Sequence, residues 1–92
     1  MRLRWTRTAL RDLDSLERYI AQDNPSAADA MVDRILRTIQ LLTKNPEMGR
    51  RGRVPRTREL VIPPYLIAYR VRRTEISIVA IIHGARRWPD TF

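Results

Sequence analysis

Cysteine is absent from the 92 residues, which excludes a disulfide scaffold, a thiolate metal site and a cysteine nucleophile. His83 is the one histidine, so an all-protein histidine zinc site lacks ligands and a Ser-His-Asp triad would have a single candidate base. No apolar run nears the roughly 20 residues that a membrane span requires. Met1-Arg2-Leu3-Arg4-Trp5 is followed by no signal-peptide core, so a cytoplasmic protein with no membrane partner is expected. Lysine is nearly missing: of 18 basic side chains only Lys44 is not an arginine. Two cores would not fit in this length, so residues 1–92 are expected to form one domain. Its core is small, because a chain this short buries only about 60–65% of the surface it exposes when unfolded. Help from a partner chain is therefore expected.

What is present is positive charge, unevenly placed. The formal net charge is +8; residues 1–48 hold eight basic and seven acidic side chains, whereas residues 49–92 hold ten and three. Arginine offers a planar fork that pairs bidentately with phosphate or carboxylate and stacks on flat groups. The C-terminal half thus reads as a surface for an anionic partner, either nucleic acid or an acidic protein segment.

Apolar spacing orders the chain. Arg2-Leu3-Arg4-Trp5 alternates as a short strand with Leu3 and Trp5 inward. Thr6 caps a helix whose stripe is Leu10, Leu13, Leu16 and Ile20, leaving Arg11, Asp12, Asp14 and Arg18 wet. Asn24-Pro25 restarts the pattern as N-cap and first helical residue, with Asp29 complementing the helix dipole. Ala28, Met31, Val32, Ile35, Leu36, Ile39 and Leu42 form the second stripe. Residues 47–56 hold two of the three glycines, one proline and four arginines, and read as a loop. Three strands follow: 58–62, a Pro63-Pro64 turn, 65–72, an Arg73-Thr74 connection, and 75–83 with Ile76, Ile78, Ala80 and Ile82 on one face. The expected fold is α+β, a two-layer sandwich (β-α-α-β-β-β). A strand and an antiparallel helical hairpin pack on a mostly antiparallel sheet, and a basic tail, 85–92, follows. Nothing within the chain is expected to cover the outer sheet face.

Arg70, Arg72, Arg86 and Arg87, with His83 and Arg58, are expected to converge on that open face. Clustered guanidiniums with an imidazole can hold a phosphodiester and shuttle a proton, or grip an anion without chemistry. Trp88 is a candidate aromatic anchor. Glu59 and Glu75 have no acidic neighbour, so no paired-carboxylate mechanism, metal or other cofactor is expected.

In this order, the motifs resemble the RelE/ParE superfamily of bacterial type II toxins. They are Leu13 and Leu16 leading to Tyr19-Ile20, the Asn-Pro hairpin, Pro46 to Gly49, Val54-Pro55-x-x-Arg58-Glu59-Leu60-Val61, Tyr65 with Ala68-Tyr69-Arg70-Val71, and Ile81-Ile82-His83-Gly84-Ala85-Arg86-Arg87-Trp88-Pro89. The resemblance implies a toxin neutralised by a cognate antitoxin through an acidic, partly disordered segment. RelE-like members cut mRNA on the ribosome, whereas ParE-like members inhibit DNA gyrase. RelE-like nucleases have an arginine where Leu66 stands and a tyrosine at the position best matched by Phe92. A phosphodiester transition state needs polar donors there. The resemblance therefore implies a ParE-like gyrase inhibitor, with Arg58, Arg70, His83, Arg86, Arg87 and Trp88 contacting target or antitoxin. Its alternative is a metal-independent mRNA interferase using His83, Arg70 and Arg86. A basic nucleic-acid module is a third reading, and the lack of stacking aromatics on the open face counts against it.

Overall fold

The computed structural model describes residues 1–92. Strand β1 (Arg2–Trp5) leads into helices α1 (Arg7–Ala21) and α2 (Pro25–Gln40), which end in a 3-10 turn at Leu41–Thr43. Strands β2 (Arg50–Arg51), β3 (Arg58–Ile62), β4 (Tyr65–Arg72) and β5 (Glu75–His83) follow. They form one sheet in the order β1-β5-β4-β3-β2, antiparallel except for the β1–β5 pair. Both helices lie on one face, so the α+β expectation holds. The two-residue β2 is an addition: it pairs with β3 inside the segment expected to be loop. No helix is long and apolar enough to cross a membrane.

The helices begin where their caps place them. Thr6 Oγ1 accepts from the Ala9 amide at 3.1 Å and itself donates to the Ile78 carbonyl at 2.9 Å, fastening α1 to β5. Asn24 Oδ1 accepts from the Ala27 amide at 3.1 Å, with Pro25 at the first helical position. Asp29 lies beyond the first turn, too far along for the dipole role expected of it. The α1 stripe differs from the expected one at its first position. Ala9 is fully buried and Leu10 is 52% exposed, so the inward face runs Ala9, Leu13, Leu16 and Ile20. A small residue at Ala9 lets the helix approach β5 closely.

The core lies between helices and sheet, built on Ile35, Ile39, Leu42, Leu60, Ile62, Tyr65, Ile67, Tyr69, Ile76, Ile78 and Ile81. Tyr69 is fully buried yet satisfied, its hydroxyl donating to the Pro46 carbonyl and accepting from the Gly49 amide, both at 2.8 Å. A bulge breaks the β4–β5 register between Ala68 and Tyr69, where Tyr69 faces Ile78 and Ala68 faces Ala80. The extra residue, Val79, changes the phase of β5. Ile76, Ile78 and Ile81 point to the helices, whereas Val79, Ala80 and Ile82 point away. The single face expected for Ile76, Ile78, Ala80 and Ile82 is therefore split.

Candidate functional site

The outer sheet face is two surfaces. Residues opposite one another in a sheet share a face, so the register places Val61, Leu66 and Ile82 in one row and Arg50, Glu59, Ala68 and Ala80 in the next. Farther along lie Arg70, Ser77 and Arg4, and then Arg72, Glu75 and Arg2. One half is apolar; the other is a field of arginines.

The apolar half is not open, which corrects the expectation that nothing in the chain covers this face. The tail folds back, and Trp88 and Phe92, with Ile82, pack on Ala68, Val79 and Ala80. The two rings meet edge to face, 6.2 Å apart. Arg53 lies over the Trp88 ring, its guanidinium carbon 4.1 Å from the centroid. Glu59 fixes that arginine. Its carboxylate, 2% exposed, accepts from the Arg53 amide at 2.8 Å and lies 3.4 Å from the Arg53 guanidinium and 3.2 Å from that of Arg50. Burial alone would raise the Glu59 carboxyl, but the Arg53 amide and the two guanidiniums outweigh it and hold it below its ordinary value. The Trp88 indole N–H is buried without an acceptor. Beyond Arg86, whose amide donates to the His83 carbonyl at 2.9 Å, the tail is therefore held by packing and by Arg53, not by hydrogen bonds to the sheet.

A second constellation sits on the helix side, at the far end of β5. On its edge away from β4, β5 has no strand beside it beyond Ile78 because β1 stops at Trp5. Helix α1 supplies the missing acceptor: Asp12 Oδ2 takes the Ile81 amide at 2.9 Å. Burial pushes the Asp12 carboxyl above its ordinary value, against the opposing pull of the Ile81 amide and the Arg86 charge. Asp12 was expected on the wet face and is instead part of the packing. Around it, Ser15, Tyr19, Tyr65, His83 and Arg86 line a cavity of about 400 Å³. The His83 and Tyr65 rings meet edge to face, 5.7 Å apart. His83 Nδ1 accepts from the Ala85 amide at 3.1 Å, so the lone pair of the neutral ring is occupied. Burial, and to a smaller extent the neighbouring Tyr19, raise the Tyr65 hydroxyl above its ordinary value and keep it protonated.

The expected rim does not assemble as one surface. His83 and Arg86 share the cavity beside α1. Trp88 lies under Arg53 on the outer face. Arg70 belongs with Arg72 in the arginine field, and the adjoining concavity lined by Arg56, Arg70 and Arg72 contains neither His83 nor Arg86. Arg58 pairs with Tyr69 across the strands and so points to the helix side, where it donates to the Gly49 carbonyl at 2.8 Å. Arg87 is exposed. Sequence reasoning missed Asp12, Arg53 and Glu59. Asp12 carried a signal, standing four residues before buried Leu16 and hence on its side of the helix.

A family model described as "ParE toxin of type II toxin-antitoxin system, parDE" matches residues 3–88. "Putative toxin Y4kP" of Sinorhizobium fredii is 43% identical over 91 residues, covering 97% of this chain and 94% of that protein. "Toxin RelE2" of Caulobacter vibrioides is 39% identical over 82 residues, covering 89% and 93%. Among solved structures, a chain of the chromosomal ParDE TA system from P. aeruginosa superposes with a TM-score of 0.78 at 33% identity, covering 90% of this chain and 95% of its own.

Proposed function

The chain belongs to the ParE family of type II toxin–antitoxin toxins, and from that premise we propose that it inhibits DNA gyrase by binding, in the cytoplasm. A cognate antitoxin holds it in check through an acidic, partly disordered segment that meets the basic C-terminal half. The observation that carries the non-hydrolytic reading is the apolar half of the outer face. Leu66, at the arginine position of RelE-like nucleases, is buried there, and Phe92, at their tyrosine position, packs on the same face beside Trp88. A cleaving site needs donors aimed at a phosphate whose charge grows in the transition state, and this surface offers side-chain carbons. His83, the one imidazole, already spends its lone pair on the Ala85 amide. The contact surface for gyrase is then the end of β5 and the start of the tail, where His83, Arg86 and exposed Arg87 follow in sequence.

The alternative is a ribosome-dependent mRNA interferase. It is favoured by the shared cavity of His83 and Arg86 and by relatives that bear the RelE name. One pair of assays separates the readings. The purified protein is expected to block gyrase supercoiling and to leave ribosome-bound message intact, and Arg86→Ala with Arg87→Ala to weaken the block while changing stability by no more than about 0.5 kcal/mol. Codon-specific cuts in a translation extract, with supercoiling untouched, overturn the gyrase reading in favour of the nuclease.

A further inference from the structure

The arginine half of the outer face remains after the tail has closed the other half. On three neighbouring strands the register sets Arg2 and Arg72 on either side of Glu75, and Arg4 and Arg70 on either side of Ser77. All four arginines point away from the helices. With strands about 4.8 Å apart and about 3.3 Å per residue, this is a grid about 10 Å wide and about 7 Å deep. Arg2, Arg4 and Arg72 are exposed and Arg70 half-buried, and none of the four takes part in an ion pair. Arg73, on the adjoining turn, joins Arg2 and Arg72 around an open concavity of about 680 Å³. Glu75 is the single acidic side chain within the grid. Four like charges held this close repel one another within a screening length, and a flat anion of repeating charge relieves that repulsion.

We propose that this grid binds the phosphate backbone of duplex nucleic acid. The side chains select that partner over two other anions. Hot spots for a protein segment sit in well-packed, desolvated pockets, and the grid is an open surface whose outward residues are four arginines, a glutamate and a serine. Single-stranded RNA is gripped by aromatic stacking, and the grid has no aromatic side chain. A duplex backbone asks only for positive charge at the spacing of its phosphates, about one charge per 1.7 Å of helix axis. Arginine meets those phosphates with a bidentate fork. The inference stands on sheet register and does not depend on the target proposed above, since binding to duplex is read without gyrase.

Salt dependence tests it. Labelled duplex DNA of arbitrary sequence is titrated with the full chain by fluorescence anisotropy between about 50 and about 200 mM salt. Four phosphate contacts give a slope of about −3.6 in log K against log salt, an affinity loss of about 150-fold over that range. Replacing Arg2, Arg4, Arg70 and Arg72 together by glutamine is expected to flatten the slope by three to four units (~0.9 per contact), and either pair alone by about 1.8. A variant with Arg7, Arg11, Arg18 and Arg34 replaced, losing equal charge from the helices, is expected to keep the wild-type slope. The two paired variants, checked by their melting curves, carry the test if the fourfold variant does not fold. Equal loss in the grid and helix variants, or no binding of wild type at about 50 mM salt, overturns the proposal, as does tighter binding of single-stranded RNA or of a polyglutamate peptide than of duplex.

Discussion

Replacing Glu59 by glutamine tests the clamp that closes the outer face. The glutamine keeps one acceptor for the Arg53 amide, now 2.8 Å from the carboxylate, but turns an NH₂ toward guanidiniums that have nothing to accept it. At least one charge-assisted hydrogen bond is lost, and such bonds contribute about 1.5–3 kcal/mol each. Arg50 and Arg53 are half exposed and can turn to water, so the cost stays near about 2 kcal/mol, below what a fully buried widowed charge would produce. For a domain of this size that lowers Tm by about 8–16 °C. The sign with pH follows from the depressed Glu59 carboxyl. A folded-state value below the unfolded one stabilises the fold above about pH 4.3, and the contribution is lost as pH falls through the folded value. Thermal unfolding should therefore show a wide gap between wild type and Glu59→Gln at pH 7 that closes in acid. Proteolysis after Trp88 should also quicken in the variant at pH 7, because Arg53 is no longer held over the ring. A gap of the same size at both pH values, or unchanged proteolysis, refutes the clamp.

Two further substitutions probe the frame around the sites. Asp12→Ala removes the acceptor of the Ile81 amide and should cost about 1–3 kcal/mol, whereas Asp12→Asn keeps an oxygen there and sheds the penalty of a buried charge; urea melts at pH 7 should rank Asn well above Ala, and equal losses would show that the hydrogen bond is not what Asp12 supplies. At Gly49 a Cβ would stand 2.7 Å from the Tyr69 ring and 2.8 Å from the Glu59 carbonyl, so Gly49→Ala should lower stability by about 1–3 kcal/mol, and a neutral result in the same melts would mean that the loop yields without cost.

Most of the scaffold was legible because caps and breakers act locally. Thr6 and Asn24-Pro25 start their helices without tertiary help, and Pro63-Pro64 with Arg73-Thr74 cuts the last third of the chain into three strands. The phase of β5 was not legible. Ile78-Val79-Ala80-Ile81-Ile82 is apolar throughout, and an unbroken apolar run does not say which residues share a face or where an extra one is accommodated. The same run, with Leu66 and Ala68, held the clue to the tail. A sheet face left open to water would alternate with polar residues at those positions, so apolar residues on both faces required a cover that only Trp88 and Phe92 were left to provide. The role of Glu59 was not legible because its partners, Arg50 on the two-residue β2 and Arg53 just beyond it, lie in a segment whose path no periodicity sets.

The arginines of the C-terminal half divide by the same physics. Arg50 and Arg53 are drawn inward by Glu59, and Arg58 by the carbonyls of Glu47 and Gly49. Arg53 pairs with a carboxylate at one edge of its guanidinium while its face lies on an indole, a combination that the compact ammonium of lysine cannot reproduce. At Arg53 the choice of arginine is thus structural. Besides exposed Arg51, Arg56 and Arg73, what remains is Arg70 and Arg72 with Arg2 and Arg4 on one half of the sheet, and Arg86 and Arg87 at its opposite end. Between them lies the apolar patch under the tail. A phosphodiester laid along the grid would meet charge for grip, but the nearest imidazole would be at the wrong end of β5 and on the other face of the sheet. At the grid, a phosphodiester would therefore be held without a proton-transfer group within hydrogen-bond reach, which general acid–base chemistry needs.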